Sequence, residues 1–159
     1  MIQEVNVHIG EVKIGKDGEV LKTILGSCVG IALVWRDKKI SGLAHCLLPD
    51  IIPASQPHTI GRFVETAIPG LLHQMEVPPS KYHEIEAIVA GGGNMTNPRV
   101  CNRNTLVGTA NANLAKKMLG KLGIKIIHED TGGEEGRKLI VNSATGEFRV
   151  EIIPRIIAI

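Results

Sequence analysis

A thiol and an imidazole lie seventeen residues apart in this chain: Cys28 within LGSCVG and His45 within GLAHCLLP. A free cysteine titrates near ~8.5, so it is a weak nucleophile at neutral pH until a neighbouring base takes its proton. Histidine is the usual base. The runs carrying the two residues, VGIALVW and ISGLAHCLL, flank a charged RDKK turn and read as the paired strands of a hairpin. Cys28 starts the first strand and His45 ends the second, so at the open end of the ladder their spacing is compatible with contact. Gly26 would let the backbone turn sharply. Amides freed there, those of Ser27 or Cys28, could hold an oxyanion. A structural reading competes with this one, because buried free cysteine is common and a histidine on an apolar strand is often hydrogen-bonded core.

Other constellations are weaker. Cys28, His45, Cys46, His58 and Cys101 are all potential metal ligands, but none forms a CxxC or HxxxH pair. His45 and Cys46 are adjacent, so on a strand they point to opposite faces, and a structural zinc is not expected. AGGGNM at 90–95 follows a strand but lacks the Walker lysine and the GxGxxG spacing, and reads as a close backbone approach. DTGGEEGR at 130–137 reads as a tight turn shaping one wall of a site. No GxSxG elbow occurs.

The elements that must position these residues follow from periodicity. EVNVHIGEVKIG alternates, with Val5, Val7 and Ile9 on one face, and predicts a single first strand. VLKTIL predicts the next, running into the Gly26–Ser27–Cys28 break. After the hairpin, a proline-bearing stretch at 47–59 reads as a loop that could touch substrate, since it follows His45. A helix is predicted through Phe63, Ala67, Leu71 and Met75, with Pro69 tolerable only near its first turn or at a kink. EIEAIVAGGG is a strand. TLVGTANANLAKKMLGKLG is the clearest helix, capped by Asn104 or Thr105 and closed by Gly123. IKIIHED, RKLIVNS and EFRVEII are strands, the last two a hairpin. About seven strands and two helices, without regular βαβ alternation, predict an α+β fold.

Bulk properties narrow the function classes. The chain has 159 residues, 43% hydrophobic and 21% charged, which suits one domain over 1–159. Aromatics are only 3% and the net charge is +2, so neither the stacking surface nor the basic footprint of a nucleic-acid binder is present. No apolar run is long enough to insert in a bilayer, and the N-terminus does not read as a signal peptide. Three cysteines, an odd number, suggest free thiols and a cytoplasmic setting. The terminal PRIIAI is apolar and reads as either core packing or an interface.

TILGSCVGI, GLAHCLLP, IVAGGGNM, the RN pair at 103–104 and DTGGEEGRKLIVNSATGEFRV occur in that order. Together they resemble the chemoreceptor glutamine deamidase family, CheD, over about residues 20–150. The resemblance implies two β-sheets packed as a sandwich with flanking helices, similar to the catalytic domains of bacterial deamidating toxins. It implies hydrolysis of particular glutamine side-chain amides on the cytoplasmic helical region of chemoreceptors, with no cofactor. Carried across, Cys28 is the nucleophile, His45 the base, and a threonine orients the imidazole. That threonine maps to Thr23. A register one residue earlier would place Lys22 there, and Ser27 is the other available hydroxyl. The resemblance also implies the phosphatase CheC as a partner. Two alternatives stay open: a regulatory module acting mainly through CheC, or a cysteine amidohydrolase acting on another protein.

Overall fold

VLKTIL alternates buried and outward residues, as a strand covered on one face must. VGIALVW, by contrast, is buried at every position because both of its faces are covered. These two patterns define a sandwich. The computed structural model describes residues 2–47, 60–94 and 103–154. Their elements are β1 (Glu4–Asn6), β2 (Val12–Gly15), β3 (Val20–Leu25), β4 (Val29–Trp35), β5 (Ile40–Cys46), α1 (Val64–Gln74), β6 (Glu86–Gly91), α2 (Arg103–Leu122), β7 (Lys125–Thr131), β8 (Gly136–Asn142) and β9 (Phe148–Ile153).

A four-stranded sheet has the order β1-β3-β8-β9, and a five-stranded sheet the order β2-β5-β4-β6-β7. Each is mixed, with one parallel pair: β1 with β3, and β6 with β7. Leu21, Leu25, Leu139 and Val141 of the small sheet pack on Ala32, Val34, Leu43 and Ile88 of the large one. The other face of the large sheet, with Ile31, Leu33, Ala44 and Val89, is covered by α1 and α2. The architecture is therefore an α+β sandwich, sheet on sheet with helices outside. Gly30 shows why the sheets approach closely: a β-carbon there would lie 2.9 Å from Leu25 Cδ1. Among the described residues no helix is long and apolar enough to cross a membrane.

Three expectations are corrected. The first strand is two strands in different sheets, β1 beside β3 and β2 beside β5. The chain crosses between them through a His8–Glu11 turn, with the Glu11 amide bonded to the His8 carbonyl at 2.9 Å and Gly10 at φ +84. Val7 is thus buried while Ile9 is 60% exposed, although their spacing would put them on one strand face. Pro69 lies inside α1, on its exposed side, rather than near its first turn. The second helix begins at Arg103, so Asn104 and Thr105 fall within it rather than at its cap, and Gly123 ends it at φ +75. Residues 48–59 of the predicted 47–59 loop, Met95, Cys101 and the tail beyond Pro154 lie outside the described residues.

Candidate active site

Thr23 is the point where three elements meet. It sits on β3 with its side chain turned into the sandwich, 3% exposed, while Lys22 and Ile24 on either side face outward. Its hydroxyl lies 2.6 Å from the Val7 carbonyl and 2.7 Å from His45 Nδ1. A carbonyl can only accept, so the single threonine proton goes to Val7, and His45 must donate its Nδ1 hydrogen to Thr23. The relay therefore selects the tautomer with Nε2 unprotonated, a base-competent nitrogen. Lys22, the one-residue alternative, is committed elsewhere, its ammonium 2.5 Å from Glu4.

His45 is held by backbone bonds as well as by its ring. Its amide donates to Glu11 (3.1 Å) and its carbonyl accepts from Gly10 (2.8 Å). On the other side it is registered with Gly30 of β4. Burial is the main influence on its titration and lowers it below the ordinary 6.5. The Val7 carbonyl opposes that shift, and His8 adds to it. At neutral pH the ring is a neutral base.

Cys28 precedes β4 by one residue, so it stands diagonal to His45 rather than directly across the ladder. Val29 pairs with Cys46 and Gly30 with His45. Residues in that diagonal relation are about 7–8 Å apart at Cα, within reach of side chains on a shared face. Both side chains line one cleft of about 740 Å³, which also takes in Thr23, Gly26 and Ser27. Cys28 is 6% exposed and His45 4%. Among the described residues no hydrogen bond joins the thiol to the imidazole, and burial pushes the Cys28 thiol above its ordinary 9.0. The site at rest holds a thiol beside a neutral imidazole, not an ion pair. Cys46 packs on the helix-covered face, away from this cleft. His58, like Cys101, lies outside the described residues, and among the described residues Cys28 and His45 share the cleft.

The turn before Cys28 is gripped from behind. Gly92 donates to the Cys28 carbonyl (2.8 Å) and Gly93 to the Gly26 carbonyl (3.0 Å). With both carbonyls tied back, the turn is fixed. Gly26 lies in the bend at 26–28 but is not in the left-handed region, whereas Gly91 and Gly92 are, at φ +108 and +66. AGGGNM is thus a close backbone approach, as its spacing suggested. DTGGEEGR supports it in turn: Gly132 donates to the Gly91 carbonyl (3.0 Å), and Asn94 donates to Gly133 (2.8 Å). Arg137, 5% exposed, reaches Asp130 with Nε (3.1 Å), Gly132 with Nη2 (2.6 Å) and Gly91 with Nη1 (3.3 Å). Sequence reasoning missed the Val7 carbonyl altogether. A backbone acceptor leaves no mark on residue type, so nothing in the sequence could have singled it out.

Comparison with known proteins covers almost the whole chain. A family model described as "CheD chemotactic sensory transduction" matches residues 47–152. A "Probable chemoreceptor glutamine deamidase CheD 2" of Ruegeria sp. is 36% identical, covering 98% of this chain and 95% of the relative. A "Probable chemoreceptor glutamine deamidase CheD" of Bdellovibrio bacteriovorus is 41% identical over 96% of each. One of Clostridium novyi is 37% identical over 94% of this chain and 93% of its own length. The matched relatives extend across Thr23, Cys28 and His45, which precede the family-model segment.

Proposed function

This chain belongs to the CheD family, and we propose that it is a protein-glutamine deamidase converting glutamine side chains of chemoreceptors to glutamate, with release of ammonia, in chemotaxis. The observation that carries the reading is the Val7–Thr23–His45 relay opening on the same cleft as Cys28. His45 Nε2 takes the Cys28 proton as sulfur attacks the amide carbon. Amides of the gripped Gly26–Cys28 turn would stabilise the oxyanion. The imidazolium returns its proton to nitrogen, since an amide anion is a very poor leaving group, and ammonia departs. Water, deprotonated by the same Nε2, then hydrolyses the thioester to the carboxylate and regenerates the thiol. The depth of the thiol favours glutamine over asparagine, whose amide is one methylene nearer its backbone.

The decisive test is mass spectrometry of chemoreceptor cytoplasmic fragments after incubation with the protein. A gain of about one dalton at particular glutamines is expected, and no gain on any receptor fragment would overturn the reading. The cytoplasm is the place of action this reading requires, and CheC is its regulatory partner. A second reading, a module acting mainly through CheC with little turnover, draws on the un-ionised Cys28 thiol and its missing bond to His45.

Two outcomes follow from the relay. Thr23→Val removes the acceptor of the Nδ1 hydrogen. A hydrogen bond to a group that becomes charged is worth about 1.5–3 kcal/mol, so kcat/KM should fall roughly tenfold to a hundredfold, with Thr23→Ser restoring most of it. Equal activity of the valine variant would remove Thr23 from the mechanism. The pH profile has a definite sign. His45 must be neutral and is shifted below 6.5, so its acid limb should lie below pH 6.5. Cys28 is shifted above 9.0, so the alkaline limb should lie above pH 9.0. Activity should be level between the limbs.

A further inference from the structure

The cleft that holds Cys28 and His45 is bordered by residues the chemistry does not use. Ile9, on the crossing between the sheets, is 60% exposed, and Ile24, on β3, is 66% exposed. Both line the same cleft. Lys138 lines it too and is registered directly opposite Ile24 on β8. Lys22 is paired with Glu4. Lys138 influences Glu4 through space but forms no ion pair among the described residues, even with Glu151, its register partner on β9. Among the described residues, the mouth of the site thus combines two exposed isoleucines with a lysine in no ion pair.

Whatever polypeptide delivers a side chain to a nearly buried thiol must lie across this mouth. Its backbone stays at the surface while the glutamine reaches inward, so its neighbouring residues cover Ile9 and Ile24. Large apolar side chains exposed beside a reactive centre are lost to water until such a segment seats on them. An unpaired ammonium at the same rim favours a carboxylate on the incoming segment and disfavours a cation. We propose that this rim is the substrate-docking surface, and that it selects glutamines flanked by an apolar residue and a carboxylate, the latter read by Lys138. The inference rests on the deamidase reading and names the sequence context of its substrate.

The experiment uses peptides built around a glutamine that the protein deamidates, with the flanking residue as Glu, Gln or Lys. The native protein should prefer the Glu peptide over the Lys peptide by about tenfold in kcat/KM, carried by KM and diminishing at high salt. Lys138→Glu should reverse that order. Ile24→Ser and Ile9→Ser should each raise KM several-fold for all three peptides. All three positions are at the surface, and unchanged thermal unfolding checks that the variants fold. If Lys138→Glu leaves the order of the three peptides unchanged, the docking assignment is wrong while the deamidase reading stands. If the native protein deamidates no glutamine in any receptor fragment, the deamidase reading itself fails.

Discussion

Cys28→Ala should abolish deamidation, cutting the rate by at least about 10⁴-fold, because it removes the thiol that we propose forms the acyl intermediate. His45→Ala loses about 10²–10⁴-fold, the range for a general acid–base. Both variants should remain folded, since each removes a side chain at the edge of the inter-sheet core rather than its centre. Cys46→Ala is the control. Cys46 is fully buried against the helices, and burial drives its thiol far above the ordinary range. Its replacement should lower stability modestly and leave turnover intact. Ammonia release by each purified variant, with thermal unfolding alongside, decides the matter. Appreciable turnover by Cys28→Ala, or loss of turnover in Cys46→Ala equal to that of Cys28→Ala, would sink the assignment of the nucleophile.

Gly91→Ala carries the second large effect, and it acts on the active turn without touching a reacting group. A β-carbon at Gly91 would lie 2.3 Å from the Cys28 carbonyl, and the backbone there is at φ +108. The contact is with backbone, so no rotamer change relieves it. Strain of about 1–3 kcal/mol for the conformation adds to about 1–3 kcal/mol for overpacking, a total of roughly 2–6 kcal/mol. Any relaxation must move Cys28 away from Gly92. A large drop in melting temperature is expected, with activity lost even in the fraction that stays folded. Gly120→Ala, in α2 with nothing within 4 Å of the added carbon, should instead stabilise by up to about 1 kcal/mol, because a helix interior disfavours glycine. A Gly91→Ala protein as stable and active as the parent would show that the turn does not depend on this grip.

Most strands were legible because period-2 alternation and the turn residues between them are local signals. β3 to β9 stand where the patterns put them. The first strand was not, because Val5, Val7 and Ile9 keep their alternation while the chain leaves one sheet for the other at Gly10. Alternation reports which way side chains point along an extended segment, not which sheet it joins. The interior position of Pro69 escaped for a related reason: a helix anchored by Ala67, Ile68, Leu71 and Leu72 against a sheet tolerates a lost bond on its exposed side.

By itself, the sequence determined the reactive types, a cysteine and a histidine on neighbouring strands, and the order of motifs that identifies the family. It also placed glycines where backbone must approach backbone. Tertiary structure alone decided that Thr23, not Lys22, meets the imidazole, because burial on β3 is set by the second sheet. It also decided the imidazole tautomer. That depends on the Val7 carbonyl, sixteen residues before Thr23 in the chain, and an acceptor that every residue type carries is visible only once the sheets have closed over it.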